Sequence, residues 1–242
     1  MSEIVREIVF DTETTGLSPD EGHRLVELGC VELINKIRTG KTYHVYINPQ
    51  RDMPYEAFKV HGLNDEFLSD KPIFSEVAND FISFLDLENQ KYQTKLIIHN
   101  AAFDMKFTNF ELNKVKIPSI SNNYVIDTLK IAREKFPGQK NNLDALCNRF
   151  DISLASREKH GALLDAELLA EVYIELCGGK QSSLLFDVES KEEVKEVNKN
   201  AINKKAVFSD KKYIEPRNYE LSQQELKAHE EFLKENINES IW

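Results

Sequence analysis

The chain has no excess of positive charge: 31 Lys and Arg stand against 41 Asp and Glu, a formal net charge of −10 over 242 residues. Proteins that grip nucleic acid by bulk attraction are basic, so a polyanionic substrate here must be met locally. No window approaches the roughly 18 uninterrupted apolar residues of a membrane span. The opening MSEIVREIVF also carries charge where a signal peptide is greasy. A cytoplasmic protein without membrane contact is the expectation. Only three cysteines occur, Cys30, Cys147 and Cys177, an odd number with no Cys-x-x-Cys spacing. Core packing in a reducing compartment explains them better than disulfides or zinc. No internal repeat is visible. What is present, 41% apolar and 30% charged side chains, is the composition of a globular chain with room for one large core and an appendage.

Up to about Gly179, β-branched apolar runs alternate with stretches of helical period, the pattern of an α/β or α+β domain with a single sheet flanked by helices. Strands are predicted over Ile4–Asp11, Leu25–Ile34, Tyr43–Ile47 and Leu96–His99. The first and last are short and nearly all apolar, suited to a buried sheet centre. Helices are predicted over Ser75–Leu85, Phe103–Leu112, Thr128–Lys135, Asn142–Phe150 and Ala162–Cys177, the last closed by Gly178 and Gly179. Beyond Gly179 the composition changes. Residues Asp187–Lys205 are dominated by charges and asparagines that leave little to bury, which predicts a flexible linker. Apolar residues return at Ala206-Val207-Phe208, and Ser222-Gln223-Gln224-Glu225 has the capping-box form that opens a helix. The expected division is a domain over 1–180, a short peptide over 181–186, the linker over 187–205 and a helical tail over 206–242.

Four acids carry the chemistry. Asp11 and Glu13, in Phe10-Asp11-Thr12-Glu13-Thr14-Thr15-Gly16, stand two apart at a strand end, where alternation sends both to one face. Like charges so placed repel unless they share a cation, an arrangement that suits hard divalent ions; a solvated acidic turn is the bland alternative. Asp104 follows the apolar run Leu96-Ile97-Ile98, in His99-Asn100-Ala101-Ala102-Phe103-Asp104, where a strand passes into a helix. By itself it equally fits an acid at a helix start. The last element is His160-Gly161-Ala162-Leu163-Leu164-Asp165. Five helical residues turn through roughly 500°, so His160 and Asp165 share a face only if His160 lies off the helix, and Gly161 frees it. Leu164, Leu168, Leu169 and Val172 are expected to hold that helix against the sheet. Four acids from three segments beside a histidine point to two-metal phosphodiester hydrolysis, with imidazole as base near neutral pH. A glycosidase-like acid pair explains neither the number of acids nor His160.

The segments FDTETTG, HNAAFD and HGALLDAE resemble the three exonuclease motifs of the DEDDh family. The similarity to its proofreading branch, the epsilon subunits of bacterial DNA polymerase III, runs through residues 7–179. The resemblance implies a ribonuclease H-like α/β fold with a central mixed sheet, and 3′-to-5′ exonuclease activity with two divalent cations, Mg2+ or Mn2+. Carried over by motif, it implies Asp11, Glu13 and Asp165 as metal ligands, Asp104 as support for the metal site and His160 as general base. The related subclass with tyrosine at that place is disfavoured by His160. Glu56 and His61, in Glu56-Ala57-Phe58-Lys59-Val60-His61-Gly62, match the segment that contacts the terminal nucleotide alongside Glu13 and Asp165. Read without the resemblance, that segment is a polar loop. Phe58 and Phe67 suit base stacking and core packing equally.

The resemblance also implies partners. An acidic nuclease holds DNA weakly and meets only a single-stranded or mispaired 3′ end, so something else must deliver it. Gln181-Ser182-Ser183-Leu184-Leu185-Phe186 resembles the Gln-x-x-Leu-x-Phe peptides that bind the bacterial sliding clamp, with Gln181, Leu184 and Phe186 as contacts. The terminal LSQQELKAHEEFLKENINESIW resembles the segment that docks on the polymerase alpha subunit, anchored by Leu226, Phe232 and Trp242. The linker departs from the family's glutamine-rich versions in being rich in Lys, Glu and Asn. A free-standing RNA exonuclease of the same fold and a non-catalytic scaffold remain the alternatives.

Overall fold

The computed structural model describes residues 4–155, 157, 159–178 and 227. By its contacts the chain divides into two units, Met1–Asp187 and Val188–Trp242, and every element below belongs to the first. The expected clamp peptide (Gln181, Leu184, Phe186), the linker and the polymerase-binding residues Leu226, Phe232 and Trp242 lie outside the described residues. Among the described residues no helix is long and apolar enough to cross a membrane.

Five strands form one mixed sheet: β1 (Val5–Thr14), β2 (Leu25–Ile34), β3 (Ile37–Tyr46), β4 (Gln93–Ile98) and β5 (Val125–Asp127), in the order β3-β2-β1-β4-β5. The first three make an antiparallel meander, while β4 pairs parallel with β1, and β5 with β4. The parallel pairs require crossovers, supplied by α1 (Tyr55–His61), α2 (Asp65–Leu68) and α3 (Phe74–Leu85), then by α4 (Ala101–Lys114). After β5 come α5 (Thr128–Lys135), α6 (Leu143–Arg149) and α7 (Ala162–Leu176). The central strand β1 is apolar on both faces because both are covered. Ile8 and Phe10 join Phe74, Phe81, Met105 and Phe107 of α3 and α4. Val9 points the other way, to Ala166, Leu169, Ala170 and Tyr173 of α7.

Several elements depart from the sequence reading, among them β5 and α2, which it did not predict. The third strand begins at Ile37 rather than Tyr43, because Asn35 and Lys36 both take positive φ (49° and 64°) and close a two-residue hairpin without any glycine signal. Its first half is exposed and carries Arg38 and Lys41, charges that protect a sheet edge. The segment read as a polar loop around Glu56 is a helix, α1, ended at Gly62 with φ 76°. Its seven residues expose too much polar surface to show an apolar stripe. Finally, α7 does not use its leucines as expected. Leu169 packs on the sheet, but Leu168 and Val172, with Leu164 beside them, face Ala132 and Leu146 of α5 and α6. Cys30 and Cys147 are buried as expected, whereas Cys177 is exposed.

One glycine fixes where α7 lands. Gly29 of β2 lies opposite Asp11 in the register, and a Cβ there would sit 2.2 Å from the carbonyl carbon of Ala162. The first turn of α7 therefore presses directly on the strand beside Asp11. Gly29→Ala is expected to destabilise the protein by about 3 kcal/mol, the upper range for overpacking. Urea unfolding and exonuclease assays should show stability and activity falling together, because Asp165 rides on the displaced turn.

Candidate active site

Asp11 and Glu13 occupy alternate positions of β1 and face α7, on the side opposite Phe10 and Thr12. Asp165, in the first turn of α7, is 3% exposed. Asp104, in the first turn of α4, is equally buried and accepts a hydrogen bond from the Thr12 hydroxyl at 2.8 Å. Three chain segments far apart in sequence thus bring carboxylates together, two from the end of β1, one from the helix that follows β4 and one from the first turn of α7. Glu13, His160 and Asp165 offer one ligand atom each within 4.8 Å of one another. Asp11 and Asp104 stand outside that tightest set but close enough to act on the same charges.

His160 precedes α7 and is not part of it. Its backbone N–H donates to Val60 O at 3.2 Å, tying its segment to α1, and its Nδ1 lies 3.0 Å from Asp165 Oδ2. The intervening Gly161 is extended (φ −160°), a conformation open to any residue. His160 meets Asp165 because it lies off the helix, as expected, but a glycine-specific hinge is not what puts it there.

The four acids strain one another electrostatically. Burial, followed by Asp104, Glu13 and Asp165, raises the Asp11 carboxyl well above its ordinary range. Glu13 is pushed up to about 8 by burial and then by Asp165 and Glu27, its partner across the strand pair. Burial lifts Asp104 to about 7 against the opposing hydrogen bond from Thr12. Asp165 goes the other way: burial would raise it, yet the neighbouring His160 and Arg157 side chains lower it below the usual carboxylate value. Crowded carboxylate oxygens that resist ionisation fit hard divalent cations, which restore the charged forms.

The sign of the pH dependence follows. Glu13, raised in the fold, contributes stability that is complete below about 4.5 and is lost as pH rises through about 8. Asp11 and Asp104 act in the same direction. In chelator the thermal midpoint is expected to fall between pH 6 and pH 8.5, and saturating Mn2+ should remove that decline. Scanning calorimetry across this window checks it; a midpoint that rises with pH in chelator contradicts a strained acid cluster.

Beside Glu13 opens a cleft of 580 Å³, walled by Thr14, Gly16, Ala57, His61 and Phe103. Both residues expected at the nucleotide are there. Glu56 is exposed and pairs with Lys59 at 3.2 Å. The His61 Nδ1 accepts from the Leu63 N–H at 3.1 Å, which leaves Nε2–H as a buried donor without a partner among the described residues. Burial also lowers the His61 pKa, keeping the ring neutral. Leu17 and Val60 expose apolar surface at the rim. The aromatic wall is Phe103; of the two aromatics left open between stacking and packing, Phe58 lies under the Lys159 ammonium and Phe67 packs edge-on against Tyr46. Phe103 sits inside the HNAAFD segment, so its place beside Asp104 was the available signal. Arg157 had none: it lies between motifs and enters the site only through side-chain contacts.

A mixed sheet with acids gathered near the end of its central strand, next to a cleft of nucleotide size, suits hydrolysis of a phosphodiester. The Exonuclease family profile matches residues 8–173. The DNA polymerase III subunit epsilon of Rickettsia felis is 48% identical over 234 residues, spanning 95% of this chain and 96% of that one. Its counterpart in Escherichia coli K12 is 47% identical over 194 residues, 77% and 76% of the two chains. The fold is shared with the nuclease domain of 3′hExo, a DEDDh family member bound to rAMP, at TM-score 0.63 and 18% identity over 73% of this chain and 93% of that. It is also shared with exonuclease X in complex with 5′ overhanging duplex DNA, at TM-score 0.54 and 24% identity over 70% and 90%. The chain belongs to the Exonuclease family and, within it, to the DNA polymerase III epsilon subunits, and it is a proofreading 3′-5′ exonuclease. The DEDDh exonucleases depend on divalent metal ions.

Proposed function

We propose that this exonuclease removes mispaired nucleotides from a DNA 3′ end with Asp11, Glu13 and Asp165 as ligands for two Mg2+ or Mn2+ ions, Asp104 in support and His160 as general base. The observation that carries the reading is the approach of Glu13, His160 and Asp165 to within 4.8 Å among four mutually repelling acids. Divalent cations bound there supply Lewis acidity, which makes water a nucleophile near neutral pH and stabilises the departing 3′ oxygen. The chain's own residues do the rest. His160 takes a proton from the attacking water. Glu56 and the Nε2–H of His61 hold the terminal nucleotide in the cleft, with Phe103, Leu17 and Val60 against its apolar faces. Discrimination comes from fraying, since a mispaired end costs less to unpair before it enters.

The partners follow the same reading. Gln181–Phe186 binds the sliding clamp and the tail, through Leu226, Phe232 and Trp242, binds the polymerase alpha subunit at the cytoplasmic replisome. These tethers supply the local concentration that an acidic enzyme lacks for DNA. The test is primer digestion in Mn2+: release of deoxynucleoside monophosphates should be faster from a 3′-mispaired primer than from a paired one. Preferential digestion of short RNA over DNA would reject the proofreading substrate and favour an RNA exonuclease.

A further inference from the structure

Arg157 is the one cation set within the acid cluster among the described residues, and its contacts are specific. Its side chain is 7% exposed. Nε and Nη2 donate to the two oxygens of Asp165, each at 2.6 Å, a forked pair. Nη1 donates to Asp144 on α6, a half-exposed acid off the cluster. The same Nη2 lies 2.8 Å from Nδ1 of His160. One guanidinium therefore holds the carboxylate of α7, a second helix and the catalytic imidazole together.

Two physical conflicts follow. A guanidinium is a donor only and does not lose its proton, so contact with His160 Nδ1 requires a lone pair on that nitrogen. Asp165 Oδ2, 3.0 Å from the same atom, is an acceptor and requires a hydrogen there. One nitrogen cannot satisfy both. With Arg157 in contact, the ring hydrogen resides on Nε2 and His160 has no free lone pair with which to take a proton from water. The second conflict is over Asp165 itself: the fork occupies both oxygens, and a divalent cation on the same carboxylate meets a fixed positive charge a few ångströms away.

We propose that Arg157 is a positioning residue that exchanges with the divalent cation at Asp165, and that its withdrawal onto Asp144 switches His160 into the tautomer that acts as base. The inference rests on the reading of Asp165 as a metal ligand. Before the cation arrives Arg157 compensates the acids and keeps Asp165 oriented. Once it yields, Nδ1–H donates to Asp165 and Nε2 presents its lone pair. Base activation is thereby coupled to metal occupancy.

The experiment uses the full chain. Calorimetric Mn2+ titrations of Arg157→Gln and Arg157→Lys should show tighter binding than the unaltered protein, about 5- to 150-fold for the glutamine variant, the usual span of a coupling between two sites. Asp144→Asn, which removes the residue that receives the arginine, should bind Mn2+ more weakly. In nitrogen-15 NMR of the unaltered protein, the His160 hydrogen should move from Nε2 to Nδ1 as Mg2+ is added, a change that needs no variant to fold. Mn2+ affinity unchanged or weakened in both Arg157 variants, or a tautomer indifferent to Mg2+, overturns the exchange. Asp165→Asn separates the two failures: if it binds Mn2+ as well as the unaltered chain, the ligand assignment itself is wrong.

Discussion

Asp11→Asn is expected to lower the exonuclease turnover number by about 10³-fold or more while raising the thermal midpoint of the chelated protein. On the proposed role of Asp11 as a metal ligand, the loss follows from removing an anion that holds the cations, which forfeits several kcal/mol of transition-state stabilisation at about 1.4 kcal/mol per tenfold. The gain in stability follows from the same charge. Burial and three neighbouring acids oppose ionisation of Asp11, and an isosteric amide relieves that repulsion. Single-turnover digestion of a 3′-mispaired primer measures the first effect and calorimetry in chelator the second. A variant that retains a tenth of the activity, or one less stable than the original in chelator, removes Asp11 from the centre of the mechanism.

His160→Ala should cost 10²- to 10⁴-fold, the usual contribution of a positioned general base. The folded domain should survive, because the imidazole is exposed and its backbone tie to Val60 does not depend on the side chain. Mn2+ affinity should change far less than activity, since the carboxylates remain. Added imidazole should restore part of the rate by entering the space left by the ring. A loss smaller than fivefold, without imidazole rescue, assigns proton transfer to another group.

Much of this site was legible in local sequence because each acid belongs to a structural boundary. Asp11 and Glu13 stand two apart at the end of an apolar run, Asp104 begins a helix after a buried strand, and Asp165 opens a largely apolar one. Such boundaries are written in adjacent residues. The helix bearing Glu56 and His61 was not legible as a helix: its seven residues expose polar side chains and its end is set by Gly62 at positive φ. The short edge strand β5 is held by pairing with β4 rather than by any alternation of its own three residues. The two faces of α7 were merged into one because sequence periodicity shows that a side chain is apolar, not which neighbour covers it.

The amino-acid sequence by itself determined the identities of the acids and the histidine and the strand and helix ends that bear them. Only the tertiary structure decided the landing of α7 on Gly29 beside Asp11, the walls of the nucleotide cleft, and the grip of Arg157 on Asp165, Asp144 and His160. The physical reason is range. Hydrogen-bonded turns and hydrophobic period are fixed within a few residues of chain, whereas close approach between β2 and α7 depends on how helices cover a sheet. The direction of a guanidinium fork depends on the acids that converge on it, and no pattern in the neighbouring sequence carries that information.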